Sequence, residues 1–264
     1  GTVENRGRAV SPHPAGVGAG HAASECTTMI KRTKTYYGVS IGILMVRTRF
    51  RRFPGDIGNA GTWPFPAQYR IVEEATPRGM TRIHEQSLLA PFKRAARELI
   101  DGGVDGITTT CGFLSHYQRE LADWSPVPVA ASSLLQYPLA ASVIASHRKV
   151  GIMTFDGAAL KGSYLESAGI PADTPVAGMP SDSDFVRAIL DDDDSIPLER
   201  LRDEVLAVAN DFQRHHPELG ALLLECTNLA PFSADIADAL GLPVFDTISL
   251  VSWFHAGLRP RRFR

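Results

Sequence analysis

The chain has 264 residues, enough to bury a sizeable core as one large domain or two small ones. Its 27 basic and 29 acidic residues leave a net charge of −2, which gives no electrostatic reason to expect a nucleic-acid partner or an anionic membrane surface, and no apolar run nears the ~20 residues of a membrane helix. Three cysteines, Cys26, Cys111 and Cys226, are too few and too odd in number for a secreted disulfide framework, so the expectation is a cytoplasmic protein with free thiols and a small-molecule partner.

Residues 1–37 are rich in Gly, Ala, Pro, Ser and Thr without strand or helix period, and read as a mobile extension. The glycines at 16, 18 and 20 follow Pro14 where a phosphate loop would have to leave a strand. A first α/β lobe is expected over 38–147. It starts with a strand at 40–46 and a loop, 47–60, that carries four arginines within six residues. Ligands of parallel sheets bind beyond the carboxyl ends of the strands, so Arg47, Thr48 and Asn59 are candidates for capturing an anion. Strands at 69–76, 105–110 and 127–131 then alternate with helices at 83–100, 115–124 and 134–146, the pattern of a parallel sheet covered by helices.

The second lobe, 148–264, repeats the plan with strands at 150–155, 175–179, 221–225 and 244–246. Helices are expected at 157–167, 185–190, 198–215, 233–240 and 250–258. The four aspartates at 191–194 read as a solvated loop and helix cap, and no metal is expected there.

The lobes match in detail. Cys111 to Pro128 and Cys226 to Pro243 are both 17 residues (128 − 111 and 243 − 226), each pair spanning from the tip of a β-prone run to a Pro-Val. Hydroxyls at Ser132 and Thr247 both lie 21 residues past their cysteine (132 − 111 and 247 − 226). A duplicated α/β unit explains these intervals together, because a fixed internal period constrains the whole architecture. The two thiols then occupy equivalent places.

A cysteine at the tip of a parallel strand, ahead of a helix, meets loop amides that favour a negative sulfur. If the halves face each other, two such thiols approach one cleft from opposite sides. That suits removal of a proton from one face of a carbon and its return to the other, one sulfur acting as thiolate and the other as thiol. His116, His147, His215, His216 and His255 show no ligand spacing with either cysteine, no P-loop or Gly-x-Ser-x-Gly occurs, and the expected reaction runs without a cofactor.

The runs at 103–111 (GVDGITTTC) and 222–228 (LLLECTN), with the interval between them, resemble the aspartate/glutamate/hydantoin racemase superfamily over roughly residues 38–258. The resemblance implies two pseudo-symmetric α/β lobes with the active site between them and Cys111 and Cys226 as its acid/base pair. It also implies that Thr227 and the amides after each cysteine hold a substrate carboxylate, which adds Thr110, Gly112, Phe113 and Asn228 to the candidates. Homodimers are common among such racemases, so a homodimer is an expectation here too. Arg47-Thr48 stands where glutamate racemases usually have Asp-Ser, and Asn228 replaces their usual His or Glu, so amino-group recognition of that kind is not implied. The leading expectation is a cofactor-independent racemase or epimerase of an amino acid or related carboxylate. The alternatives are a maleate-type cis-trans isomerase, a decarboxylase of the same fold, or a two-lobed carboxylate-binding protein without catalysis.

Overall fold

A computed structural model describes residues 1–2, 34, 37–81, 88–160, 162–260 and 263. The expected extension, with Cys26 and the glycines at 16–20, and most of the basic tail lie outside the described residues.

The first sheet is built on β1 (Ile41–Val46), whose residues are almost all buried because it is paired on both sides. It runs parallel to β2 (Ala67–Val72) and to β3 (Gly106–Thr109), and β3 in turn pairs with β4 (Val129–Ala130), giving the order β2-β1-β3-β4. The second sheet, β5 (Lys149–Thr154), β6 (Val176–Gly178), β7 (Leu219–Leu224) and β8 (Val244–Phe245), repeats it as β6-β5-β7-β8, again parallel throughout. Two helix-flanked parallel sheets of like order are the two-lobed α/β architecture that the duplicated intervals predict.

Helices form where apolar residues recur on one face. In α2 (Leu89–Asp101) the buried Phe92, Ala95, Ala96, Leu99 and Ile100 make a stripe that packs on the first sheet. It follows the single turn of α1 (Pro77–Met80). The chain leaves α2 through Gly103, whose φ of +91° a side chain would resist. In α7 (Leu198–His215) the stripe is Leu201, Val205, Ala209 and Phe212, and α6 (Asp184–Leu190) packs beside it. The remaining helices are α3 (Gln118–Trp124), α4 (Tyr137–Ser142), α5 (Ser163–Glu166), α8 (Ser233–Leu240) and α9 (Thr247–Leu258).

Two of these cross over. α4 ends the first half of the chain yet packs on β5 and β7, and α9 ends the second half yet packs on β3 and β4. Phe254 of α9 lies so close to Gly106 that a Cβ there would fall 2.7 Å from the ring. Tyr137 and Ala140 of α4 share a buried cluster with Val150, Ile152, Ala221 and Leu223 of the second sheet. Each sheet is therefore covered in part by the other half's last helix.

The helices expected at 115–124 and 134–146 shrink to α3 and α4, each after a 3₁₀ turn, and three further elements differ from expectation. Of the described residues in 157–167 only the one turn of α5 is helical, because Gly157 packs its backbone against Gly178 and Gly162 turns left-handed at φ +48°. Asp156 ties that stretch down by accepting from the amides of Ala158 and Ala159. β2 begins and ends earlier than expected, its pairing with β1 stopping at Val46 and Val72. α9 starts three residues early, at a capping box in which Asp246 accepts from the Ser249 amide and Ser249 from the Asp246 amide.

Candidate functional site

Cys111 and Cys226 stand at the same place in the two lobes. Each is two residues beyond the last residue of a central strand, β3 or β7, and each precedes a six-residue 3₁₀ turn, Gly112–Tyr117 or Thr227–Phe232. The carbonyl of each cysteine accepts from the amide three residues on, Leu114 or Leu229, at 3.1 Å in both. The turns aim amides at the sulfurs: those of Phe113 and Leu114 at Cys111, that of Asn228 at Cys226.

Both cysteines line one cleft of about 480 Å³, open solvent at its mouth included. Its other walls include Val46, Phe50, Pro77, Met80, Phe113, Phe155 and Ile189, a largely apolar set. Cys111 is half-buried and Cys226 is buried. The lobes are stitched together at this level. Thr227 Oγ1 donates to the carbonyl of Thr110 at 2.9 Å, and Ser133 Oγ donates to that of Leu224 at 2.6 Å.

The polar groups form one chain of contacts. Cys226 Sγ donates to Asn228 Oδ1 at 3.8 Å, and Asn228 Nδ2 donates to Asp56 Oδ2 at 2.9 Å. Asp56, only 2% exposed, takes the Arg52 guanidinium on its other oxygen at 2.7 Å, and Arg52 also donates to Thr48 Oγ1 at 2.8 Å. Arg52 lies over the Phe50 ring, 4.6 Å from its centroid. It is the one cation lining the cleft among the described residues. With five N–H donors it keeps some for a ligand carboxylate after serving Asp56 and Thr48.

One carboxyl lines the cleft among the described residues, that of Glu225. Its Oε2 accepts from Thr154 Oγ1 at 2.5 Å, while Oε1 has no hydrogen-bond partner among the described residues. Burial pushes this carboxyl up to about 7, against the Thr154 hydrogen bond and with a smaller push from Asp156. Burial also raises both thiols, the negative charge of Glu225 raises them further, and the nearby backbone amides oppose it. The resting sulfurs are therefore protonated.

Of the residues chosen from the sequence, Thr48, Thr110, Cys111, Gly112, Phe113, Cys226, Thr227 and Asn228 come together around the cleft. Two do not. Arg47 is exposed and lines a separate surface groove with Arg49 and Arg78. Arg52 lines the cleft instead, its guanidinium held by Thr48 and Asp56. Asn59 caps a 3₁₀ turn, accepting from Gly61 N and donating to the Arg52 carbonyl, and so shapes the loop without facing the cleft. Thr227 faces the cleft, but its hydroxyl proton is spent on Thr110, which leaves Oγ1 to a ligand chiefly as an acceptor. Glu225, Asp56 and Arg52 were not singled out by sequence reasoning. The one signal for Glu225 was a carboxylate ending an otherwise wholly apolar strand, where charged residues are rare.

The aspartate run has a role at the rim. Asp192, at φ +52°, accepts from the amides of Arg49 and Phe50, and Asp191 pairs with Arg78 at 2.7 Å. These bonds pin the arginine loop and α1 of the first lobe to the second. Among the described residues no group of His, Cys, Asp and Glu is arranged to hold a metal ion, and no helix is long and apolar enough to cross a membrane.

No protein-family model matches the chain. Among curated proteins it is 28% identical over 263 residues to a dimethylsulfoniopropionate lyase of Durusdinium sp. clade D, covering 92% of this chain and 84% of that one. It is 29% identical over 234 residues to dimethylsulfoniopropionate lyase 5 of Emiliania huxleyi, covering 82% of this chain but only 45% of that protein. Among solved structures, a mutant of arylmalonate decarboxylase in its sulfate-associated form superposes with a TM-score of 0.58 at 14% identity, over 85% of this chain and 98% of that one. A glutamate racemase of Bacillus anthracis superposes at 0.53 and 15%, over 83% of each chain. The aspartate racemase of Picrophilus torridus does so at 0.51 and 17%, over 86% and 96%. The fold is thus the two-lobed one shared by these racemases and the decarboxylase. The resemblance to the racemase superfamily stands at the level of the fold, whereas the curated relatives by sequence are lyases.

Proposed function

We propose that this chain is an enzyme that takes a proton from the carbon beside the carboxylate of a small substrate, with Cys111 and Cys226 as its acid/base pair, and then expels a group from the next carbon. The observation that carries the reading is the pair of cysteines from equivalent strand tips on one cleft. The lyase relatives favour elimination as the outcome.

The steps balance for a β-sulfonio carboxylate such as dimethylsulfoniopropionate. A cysteine thiolate takes the α-proton, forming S–H as the C–H bond breaks. The electron pair left on carbon becomes the new C=C bond while the C–S bond breaks, and the sulfide departs neutral with that bond's electrons. Acrylate remains. Arg52 is the group for the carboxylate, and the faces of Phe50, Phe113 and Phe155 suit a sulfonium, which aromatic rings attract as they do other cations. Apolar walls also keep water from the carbanion.

Racemisation is the second reading, favoured by the symmetry of the two thiols, since an elimination needs only one base. Two assays separate them. Gas chromatography of the headspace over enzyme and dimethylsulfoniopropionate is expected to show dimethyl sulfide. If it does not, and chiral amino acids exchange their α-hydrogen in D₂O and lose optical activity, racemisation takes first place. Neither signal on a panel of small carboxylates would remove the enzyme reading altogether.

A further inference from the structure

The cleft poses a problem of charge. A proton-abstracting thiolate must form there, yet burial and the Glu225 charge both hold the sulfurs as thiols. The group that opposes the thiolate is also the one placed to relieve the opposition. Glu225 is 1% exposed and adjoins Cys226 in the chain. It presses on the neighbour of the other sulfur, so that a Cβ on Gly112 would fall 2.2 Å from Oε1. The missing side chain of Gly112 is what allows this carboxyl to pack beside the residue that follows Cys111. Its Oε1 lacks a donor among the described residues, and a buried carboxylate oxygen without one is costly. Both thiols feel the Glu225 charge, and each carries a proton that could satisfy this oxygen.

We propose that Glu225 exchanges a proton with Cys111 and Cys226, so that the three groups together give up one proton and alternate between a carboxylate beside two thiols and a carboxylic acid beside one thiolate. In the exchange an S–H bond breaks, an O–H bond forms at Oε1, and the electron pair stays on sulfur. The site's net charge remains −1 throughout, so no second buried charge is created. The groups that bear on Glu225 are Cys111 with the Phe113 and Leu114 amides from the first lobe, Cys226 and Asn228 from its own loop, and Thr154 and Asp156 at the end of β5. Arg52 and Asp56 of the arginine loop complete the set. The role in turnover rests on the proposed function, but the sharing of the proton is a property of the free protein.

The test follows the rate at which iodoacetamide alkylates Cys111 and Cys226 in the full chain without substrate, from about pH 5 to about pH 9, read peptide by peptide by mass spectrometry. Only the thiolate reacts. In the wild type the rate is expected to climb tenfold per pH unit and then level off near pH 7, because above that point Glu225 has already surrendered the one proton. Glu225→Gln removes the competitor, so its rate keeps climbing and passes the wild type by about tenfold at pH 8. Thr154→Val keeps the carboxyl but takes away its donor, and moves the levelling to higher pH. A wild-type rate that climbs through the whole range without levelling, or a Glu225→Gln profile that superimposes on the wild type, overturns the proposal. If Glu225→Gln does not fold, the wild-type and Thr154→Val profiles decide it alone. Levelling without turnover on any substrate would sink the function and leave this inference standing; turnover without levelling would do the reverse.

Discussion

Burying the Glu225 carboxyl against its charged form has a price that a pH series can measure. Its value moves from an ordinary 4.5 to about 7 on folding. At about 1.4 kcal/mol per tenfold step this amounts to ~3 kcal/mol. The sign follows from the direction. Because the folded state binds the proton more tightly than the unfolded one, the contribution is fully present below about pH 4.5 and is lost as pH rises through about 7. Glutamine has nearly the same shape and does not titrate. The stability of Glu225→Gln relative to wild type should therefore rise by ~3 kcal/mol between about pH 4 and pH 8, while titrating groups that do not feel Glu225 cancel from the difference. For a chain of this size that is a gap in Tm that widens by ~6–12 °C across the window. Urea or thermal unfolding of both proteins at each pH supplies the numbers. A difference that stays constant across the range would refute the assignment of the raised value to Glu225.

Other substitutions test the rest of the site. Because the elimination uses one thiolate, at least one of Cys111→Ser and Cys226→Ser should lower dimethyl sulfide release by ~10²–10⁴-fold, the usual worth of a positioned base; full activity in both would end the cysteine account. Gly112→Ala puts a Cβ 2.4 Å from the Glu225 carbonyl oxygen as well as against its side chain, and backbone cannot swing aside. The expected loss is ~1–3 kcal/mol in urea unfolding, with activity falling more than the stability change alone would explain. Arg52→Ala leaves Asp56 buried without its cation and should cost ~3–5 kcal/mol in the same assay. Arg52→Lys keeps the charge but not the two-pronged bonding to Thr48 and Asp56, and should raise KM more than it lowers kcat.

Much of this architecture is legible in the amino-acid order, for reasons that vary with the element. The α7 and α8 helices can be bounded to the residue because their apolar stripes are regular and their ends carry stop signals, a left-handed Gly241 in the case of α8. The matched cysteines were readable because duplication preserves intervals even where side chains have changed. The 157–167 stretch was misread as a helix since the contact that prevents one, Gly157 on Gly178, joins segments about twenty residues apart, outside any periodic window. Arg52 was hidden for a related reason. A loop carries no period, so which of its arginines turns inward depends on Asp56 and Thr48 holding the guanidinium, a contact invisible until the chain has folded. Glu225 was in plain view between Leu224 and Cys226, but only its three-dimensional setting against Gly112 and Thr154 shows that it shares the cleft with both sulfurs.

The exchanged helices α4 and α9 bear on what the two halves of this protein are to each other. Cutting the chain between them would strip each sheet of an apolar cover that only the opposite fragment can supply, so the halves are not modules to be shuffled or expressed apart. Sulfur positions that depend on such mutual clothing are fixed by the cooperative fold of the whole, and the arginine loop beside them is itself anchored across the lobes by Asp192.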